Sequence, residues 1–220
     1  MLFNRIVRCV WLFGFLLLWG CRSNPTLDTL TNLNPWKSQY ASVQPGFEYM
    51  WVSLDGKASV MALGERSVQG SGAFIHVHEW WYTGQGEMLY VLDGRIQQAL
   101  GFTHERRRLV GQAPAWADVL QAAKEVPWSH TADIMPGYRS GVTEHVTSQP
   151  IRPPKSLPEG VSSTAQWVMD TVGSKNADGK EWWYLQKFAV LDGQVVYSEQ
   201  CIDQDLCLKL RPLGVLLAGK

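Results

Sequence analysis

From Phe47 onward, apolar and polar side chains alternate with a period of two, and turn-forming residues interrupt the alternation at regular intervals. Phe47, Tyr49, Trp51 and Ser53 fall on one face of the first run, and Met50, Val52 and Leu54 on the other, which is the pattern of a two-sided strand. Asp55-Gly56 then leads into Ala58 to Leu63. The same dipeptide returns as Asp93-Gly94, between Glu87–Leu92 and Arg95–Leu100, and as Asp192-Gly193, between Phe188–Leu191 and Gln194–Tyr197. Asp-Gly between apolar runs is the strongest short-range signal for a two-residue hairpin, so three such hairpins specify an antiparallel meander. Further strand-like runs are Thr131–Met135 and Tyr138–Thr147 around Pro136-Gly137, then Thr164–Val172, Glu181–Val190, Val195–Ile202 and Leu206–Leu210. One segment of this region has helical spacing instead. It is Pro114–Lys124, with Trp116, Val119, Leu120 and Ala123 on one face, Pro at its start and Pro127 beyond its end. Its apolar face is expected to fill the concave side of the sheet. The proline-rich stretch 150–158 reads as a loop or edge-crossing linker.

The N-terminus has a different pattern. Arg5 and Arg8 precede the uncharged run Val10–Leu18, and Leu18-Trp19-Gly20-Cys21 follows. A basic start, an apolar core and a small residue make a secretory signal, and the run falls short of the ~20 apolar residues of a membrane-spanning helix. The ending resembles a bacterial lipobox, in which the cysteine becomes the mature N-terminus and carries a diacylglycerol. Trp19 is bulkier than that pattern favours. Acylation of Cys21, palmitate included, would hold the chain on a membrane, since more than one acyl chain gives stable attachment. By resemblance to lipoprotein sorting signals, Arg22 points to the outer membrane, with the body facing the periplasm. The expected organisation is a signal peptide over 1–20, a lipid-anchored tether with a short helix over 21–46, and a single antiparallel β domain over 47–220. The tether helix rests on Pro25 and on Leu27, Leu30 and Leu33 at helical spacing.

Composition narrows the function. Removing the signal takes away Arg5 and Arg8, leaving 18 basic against 20 acidic residues, so nothing favours a nucleic-acid partner. The one dense basic run, Glu105-Arg106-Arg107-Arg108, reads as a solvated loop or a strand end. Cys201 and Cys207 flank the turn-like Asp203-Gln204-Asp205 between two strand-like runs, and a hairpin there would bring their sulfurs face to face, so a disulfide is expected. His76 and His78 share one face of a strand, but no further ligand spacing accompanies them, and no metal or cofactor is expected. Neither a nucleophile elbow nor a phosphate-cradling glycine loop is present, and no catalytic residue is assigned.

Glu79-Trp80-Trp81-Tyr82 recurs letter for letter as Glu181-Trp182-Trp183-Tyr184. Neighbouring strand residues point to opposite faces, so each run should send one Trp into the core and offer the other to solvent or a ligand groove. Trp80, Trp81, Trp182 and Trp183 are therefore candidate ligand-facing aromatics, against the alternative of cross-strand packing. The order of lipobox cysteine, short helix, Tyr49–Gly56 hairpin leading into Val60–Gly64, Trp80-Trp81, Leu92–Ile96, Trp182, Asp192–Val195 and Leu208–Pro212 resembles the group 4 capsule polysaccharide lipoproteins. These are also called YjbF-like lipoproteins of exopolysaccharide operons. The resemblance implies a half-barrel of curved antiparallel sheet around one or two short helices on its concave side. It also implies an outer-membrane lipoprotein acting as a non-enzymatic accessory factor in capsule or exopolysaccharide production, with polysaccharide or export components as partners. A carrier or chaperone for a lipid or lipoprotein, and a carbohydrate-active enzyme, are the competing expectations.

Overall fold

The computed structural model describes residues 46–71, 74–175 and 179–215. The signal peptide, Cys21 and the tether helix lie outside the described residues. Twelve strands follow one another along the chain: β1 (Glu48–Leu54), β2 (Lys57–Ser71), β3 (Phe74–Tyr82), β4 (Met88–Leu92), β5 (Arg95–Leu100), β6 (Glu105–Val110), β7 (Val126–Met135), β8 (Arg139–Ile151), β9 (Gln166–Lys175), β10 (Glu181–Leu191), β11 (Gln194–Asp203) and β12 (Leu206–Val215). One helix, α1 (Trp116–Gln121), stands between β6 and β7.

Each strand pairs antiparallel with its neighbour in sequence, and β1 pairs with β12 along Glu48–Leu54 and Leu208–Val215. The sheet is therefore a closed barrel, which corrects the half-barrel expected from the sequence. Strands that twist with one hand curl a long meander round on itself, and pairing the first with the last removes both exposed edges. The three Asp-Gly turns form with both residues at positive φ, as in Asp93 at 50° and Gly94 at 81°. α1 is shorter than the expected Pro114–Lys124 because Ala122 is already extended. Among the described residues it is the only helix. Trp116 and Val119 turn its apolar face onto Val168, Phe188 and Val190 of the inner wall.

Side-chain bonds pinch the interior into two lobes. Gln200 on β11 accepts from the Ile96 amide at 2.8 Å and donates to the Gly94 carbonyl at 2.8 Å, both across the lumen. The approach needs glycine at position 94, where a Cβ would sit 2.3 Å from the Val195 side chain. Lobe one is apolar, filled by Met50, Val52, Met61, Trp81, Leu89, Val91, Ile96, Ile202, Leu208 and Leu210. Lobe two holds α1, the cluster of Val146, Val172, Trp182 and Tyr184, and a set of buried charges. Outside, residues 157–165 strap the wall, with Leu157, Val161 and Ala165 packed on Trp167, Ala189 and Tyr197.

The outer wall carries ion pairs, Lys187 with Glu199 at 3.4 Å and Lys175 with Glu181 at 3.0 Å. Cys201 and Cys207 are bonded across the β11–β12 hairpin, S–S 2.00 Å.

Candidate functional site

The two Glu-Trp-Trp-Tyr runs face opposite ways. On β3 the odd positions point inward, so Trp81 lies in lobe one at 1% exposure while Trp80 stays on the outer wall. On β10 the even positions point inward. Trp182 is buried beside Tyr184, their rings 5.6 Å apart and within 9° of parallel, and Trp183 is 68% exposed. In the nearer direction round the barrel, β3 and β10 are separated by β2, β1, β12 and β11. Trp80 and Trp183 thus occupy different parts of the outer wall, and the four tryptophans do not form one site.

Trp80 belongs instead to an aromatic strip. His78, Trp80 and Tyr82 share the outer face of β3, and Tyr90 on β4 stands directly opposite Trp80. Trp80 and Tyr90 stack at 4.8 Å and 12°. The Tyr90 hydroxyl lies 2.7 Å from His78 Nδ1, with the two rings within 10° of parallel. A bond to a ring nitrogen lies near the imidazole plane, so these rings meet edge to edge and extend one surface. Burial and the nearby Asp93 carboxylate raise the Tyr90 pKa. Tyr82, 46% exposed, lies against β2 at Gly64, where a Cβ would meet its ring at 2.6 Å. From His78 to Tyr82 the strip runs ~13 Å along the strand, the rise of four residues. His76 and His78 each commit Nδ1 within the protein, His76 to Asp93 at 2.6 Å. Among the described residues, no three His, Cys, Asp or Glu side chains converge as a metal site would require.

The second cluster is inside. The run Glu105–Arg108, expected to be a solvated loop or strand end, is the body of β6, with Arg106 and Arg108 turned into lobe two and Arg107 turned out. Arg106 pairs with the fully buried Glu144, and also donates to Tyr184 Oη and the Ile202 carbonyl at 3.1 Å each. His130 Nε2 is 2.6 Å from Glu144 Oε2 and donates to it. Arg95, 3% exposed, donates to Asp170 at 3.2 Å and to the Pro114 carbonyl at 3.3 Å, while Ser148 donates to Asp170 at 2.6 Å. Arg95 also lies 3.5 Å over the Trp116 ring, tying α1 to the inner wall through a cation–π contact. The Pro136-Gly137 turn alone would set His130 opposite Thr143, and a bulge between Ala132 and Ile134 shifts the register by one residue and brings His130 opposite Glu144.

Burial, with Arg108 and Arg106 nearby, pushes the His130 pKa down to about 2. A group whose folded pKa is depressed stabilises the fold above its unfolded value, and that stability is lost as pH falls. Between pH 6.5 and 4.5 the unfolded chain takes up a proton at His130 that the folded chain refuses. Over that range the wild type should therefore lose about 2.3 kcal/mol more stability than His130→Gln, with a slope approaching ~1.4 kcal/mol per pH unit at the acid end. Urea midpoints of both proteins across that range measure it, and parallel curves would count against a neutral buried His130.

The fold and its clusters define a class, a closed twelve-stranded antiparallel barrel with a packed, pinched interior and an aromatic strip on its outer wall. Among solved structures, this architecture is similar to the hypothetical lipoprotein YmcC from Escherichia coli (K12). The TM-score is 0.56 at 15% identity, over 77% of this chain and 87% of that one. No family model and no curated protein matches the sequence.

Proposed function

We propose that this chain is an outer-membrane lipoprotein, anchored through Cys21 with its barrel facing the periplasm. In this reading it acts as a non-enzymatic accessory factor in the production or export of capsule or exopolysaccharide. The observation that carries the proposal is the strip of His78, Trp80, Tyr82 and Tyr90 on the outer wall. Aromatic faces with hydrogen-bonding edges suit the apolar faces and hydroxyl rims of sugar rings, and ~13 Å of strip spans more than one sugar. The lipobox-like Leu18–Cys21 supports the anchor, as does the description of the structural neighbour as a lipoprotein. The carrier reading finds less support, because Met61, Trp81, Leu89, Ile202 and Leu208 fill lobe one with the protein's own side chains.

Deleting the gene should lower surface polysaccharide, and the wild-type gene should restore it where Trp80→Ala/Tyr82→Ala does not. In affinity electrophoresis through the purified polysaccharide, each ring removed should weaken retardation about two- to thirteenfold, the equivalent of ~0.5–1.5 kcal/mol of stacking. Unaltered surface polysaccharide in the deletion strain would defeat the proposal.

A further inference from the structure

We infer that lobe two holds a small anionic group, a carboxylate or a phosphate, at the buried guanidinium donors of Arg95 and Arg108 beside Trp128. Three arginines, Arg95, Arg106 and Arg108, face this lobe against two carboxylates, Glu144 and Asp170. Glu144 is spent on Arg106, His130 and Tyr184, and Asp170 on Arg95 and Ser148. Among the described residues Arg108 has no ion pair, and its Nε is buried without a hydrogen-bond partner. Arg95 Nη2 is buried and unpartnered as well, on a side chain only 3% exposed. Both guanidinium groups lie against one ring, Arg95 at 5.7 Å and Arg108 at 5.4 Å from the Trp128 centroid.

Buried polar groups are almost always paired, and a buried cation without a counter-charge is costlier still. The imbalance shows in Arg108 itself, whose pKa is pushed down to about 9 by burial and by Arg106 and Arg95. An anion supplies what both donors lack and cancels the surplus charge. His130 Nδ1, also buried and unpartnered, leaves a lone pair for a hydroxyl on the same ligand, such as that of a uronic acid or a protonated phosphate. Entry is offered where Arg108, itself half-buried, gives way to the exposed Leu109 and Val110 at the end of β6. The inference goes beyond the polysaccharide reading and does not depend on it, since the strip is on the outer face of the wall.

The test is thermal melting and equilibrium dialysis of the full chain in detergent, with sodium phosphate and, separately, sodium glucuronate, at ionic strength held constant with NaCl. A saturable rise in melting temperature with either anion is expected. A response to phosphate alone assigns a phosphoryl group, and a response to glucuronate alone an acidic sugar. Arg108→Gln should abolish the rise, and Arg107→Gln on the outer face should keep it. Arg108→Lys, which retains the charge but loses the Nε donor, should bind about tenfold more weakly, the loss of one charge-assisted hydrogen bond, and it carries the test if Arg108→Gln fails to fold by circular dichroism. Trp80→Ala/Tyr82→Ala should leave the response intact, which separates this site from the strip. No saturable response to either anion, or an equal response in Arg108→Gln, would overturn the inference.

Discussion

Replacing Glu144 with leucine is expected to cost the folded barrel about 3–5 kcal/mol, because it strips a buried guanidinium of its counter-ion while leaving the charge in place. Glu144 is fully buried and serves Arg106, His130 and Tyr184 together. Without it, Arg106 keeps only neutral partners, the Tyr184 hydroxyl and the Ile202 carbonyl. The cost belongs to the orphaned charge rather than to the pair as such, and that distinction can be measured. In Glu144→Leu/Arg106→Met both charges are gone, and an apolar replacement of similar volume for a buried pair is often neutral. The double variant should therefore recover most of the loss seen in Glu144→Leu. Urea midpoints at pH 7 with unchanged m-values would establish the cycle. A loss under about 1 kcal/mol in Glu144→Leu would show that water reaches Arg106 and that lobe two is not dry.

Lobe two also explains why part of this architecture could be read from the chain and part could not. The Asp-Gly hairpins were legible because a type I′ turn is dictated by two adjacent residues, and Asp55, Asp93 and Asp192 all adopt the positive φ it requires. Closure of the barrel rests on β1 meeting β12, more than 150 residues away, and no local pattern encodes that pairing. β6 escapes a sequence reading for a related reason. Arg106 and Arg108 alternate with Arg107 as strand residues do, but polarity marks an inner face only when the partner charges are known. Glu144 and Asp170 come from β8 and β9. The outer strip was half legible. His78, Trp80 and Tyr82 share a face by spacing alone, whereas the contribution of Tyr90 depends on the β3–β4 register, and the seat of Tyr82 depends on Gly64 across the β2–β3 pair. The expectation that each Glu-Trp-Trp-Tyr run divides its tryptophans between two faces matches their burial, but which Trp goes inward is set by the strand's register in the barrel and differs between the copies.

That reversal gives the sharpest contrast among single substitutions. Trp81→Ala and Trp182→Ala should each cost about 3–5 kcal/mol, as expected when a large buried ring leaves a cavity that its neighbours fill only in part. Trp81 packs among Met61, Leu89 and Leu208 in lobe one, and Trp182 among Val146, Val172 and Tyr184 in lobe two. Trp80→Ala should cost about 1 kcal/mol, the worth of its stack with Tyr90. Trp183→Ala should lie within about 0.5 kcal/mol of the wild type, since its ring is mostly in solvent. Identical tetrapeptides would thus respond in opposite order, second Trp over first in β3 and first over second in β10. Denaturant midpoints of the four variants decide it. If Trp80→Ala proved as damaging as Trp81→Ala, Trp80 would be part of the core and the outer strip would lose its central ring. If it is mild, as the geometry requires, Trp80 is held at the surface at little benefit to the fold, as a ring kept for a ligand would be.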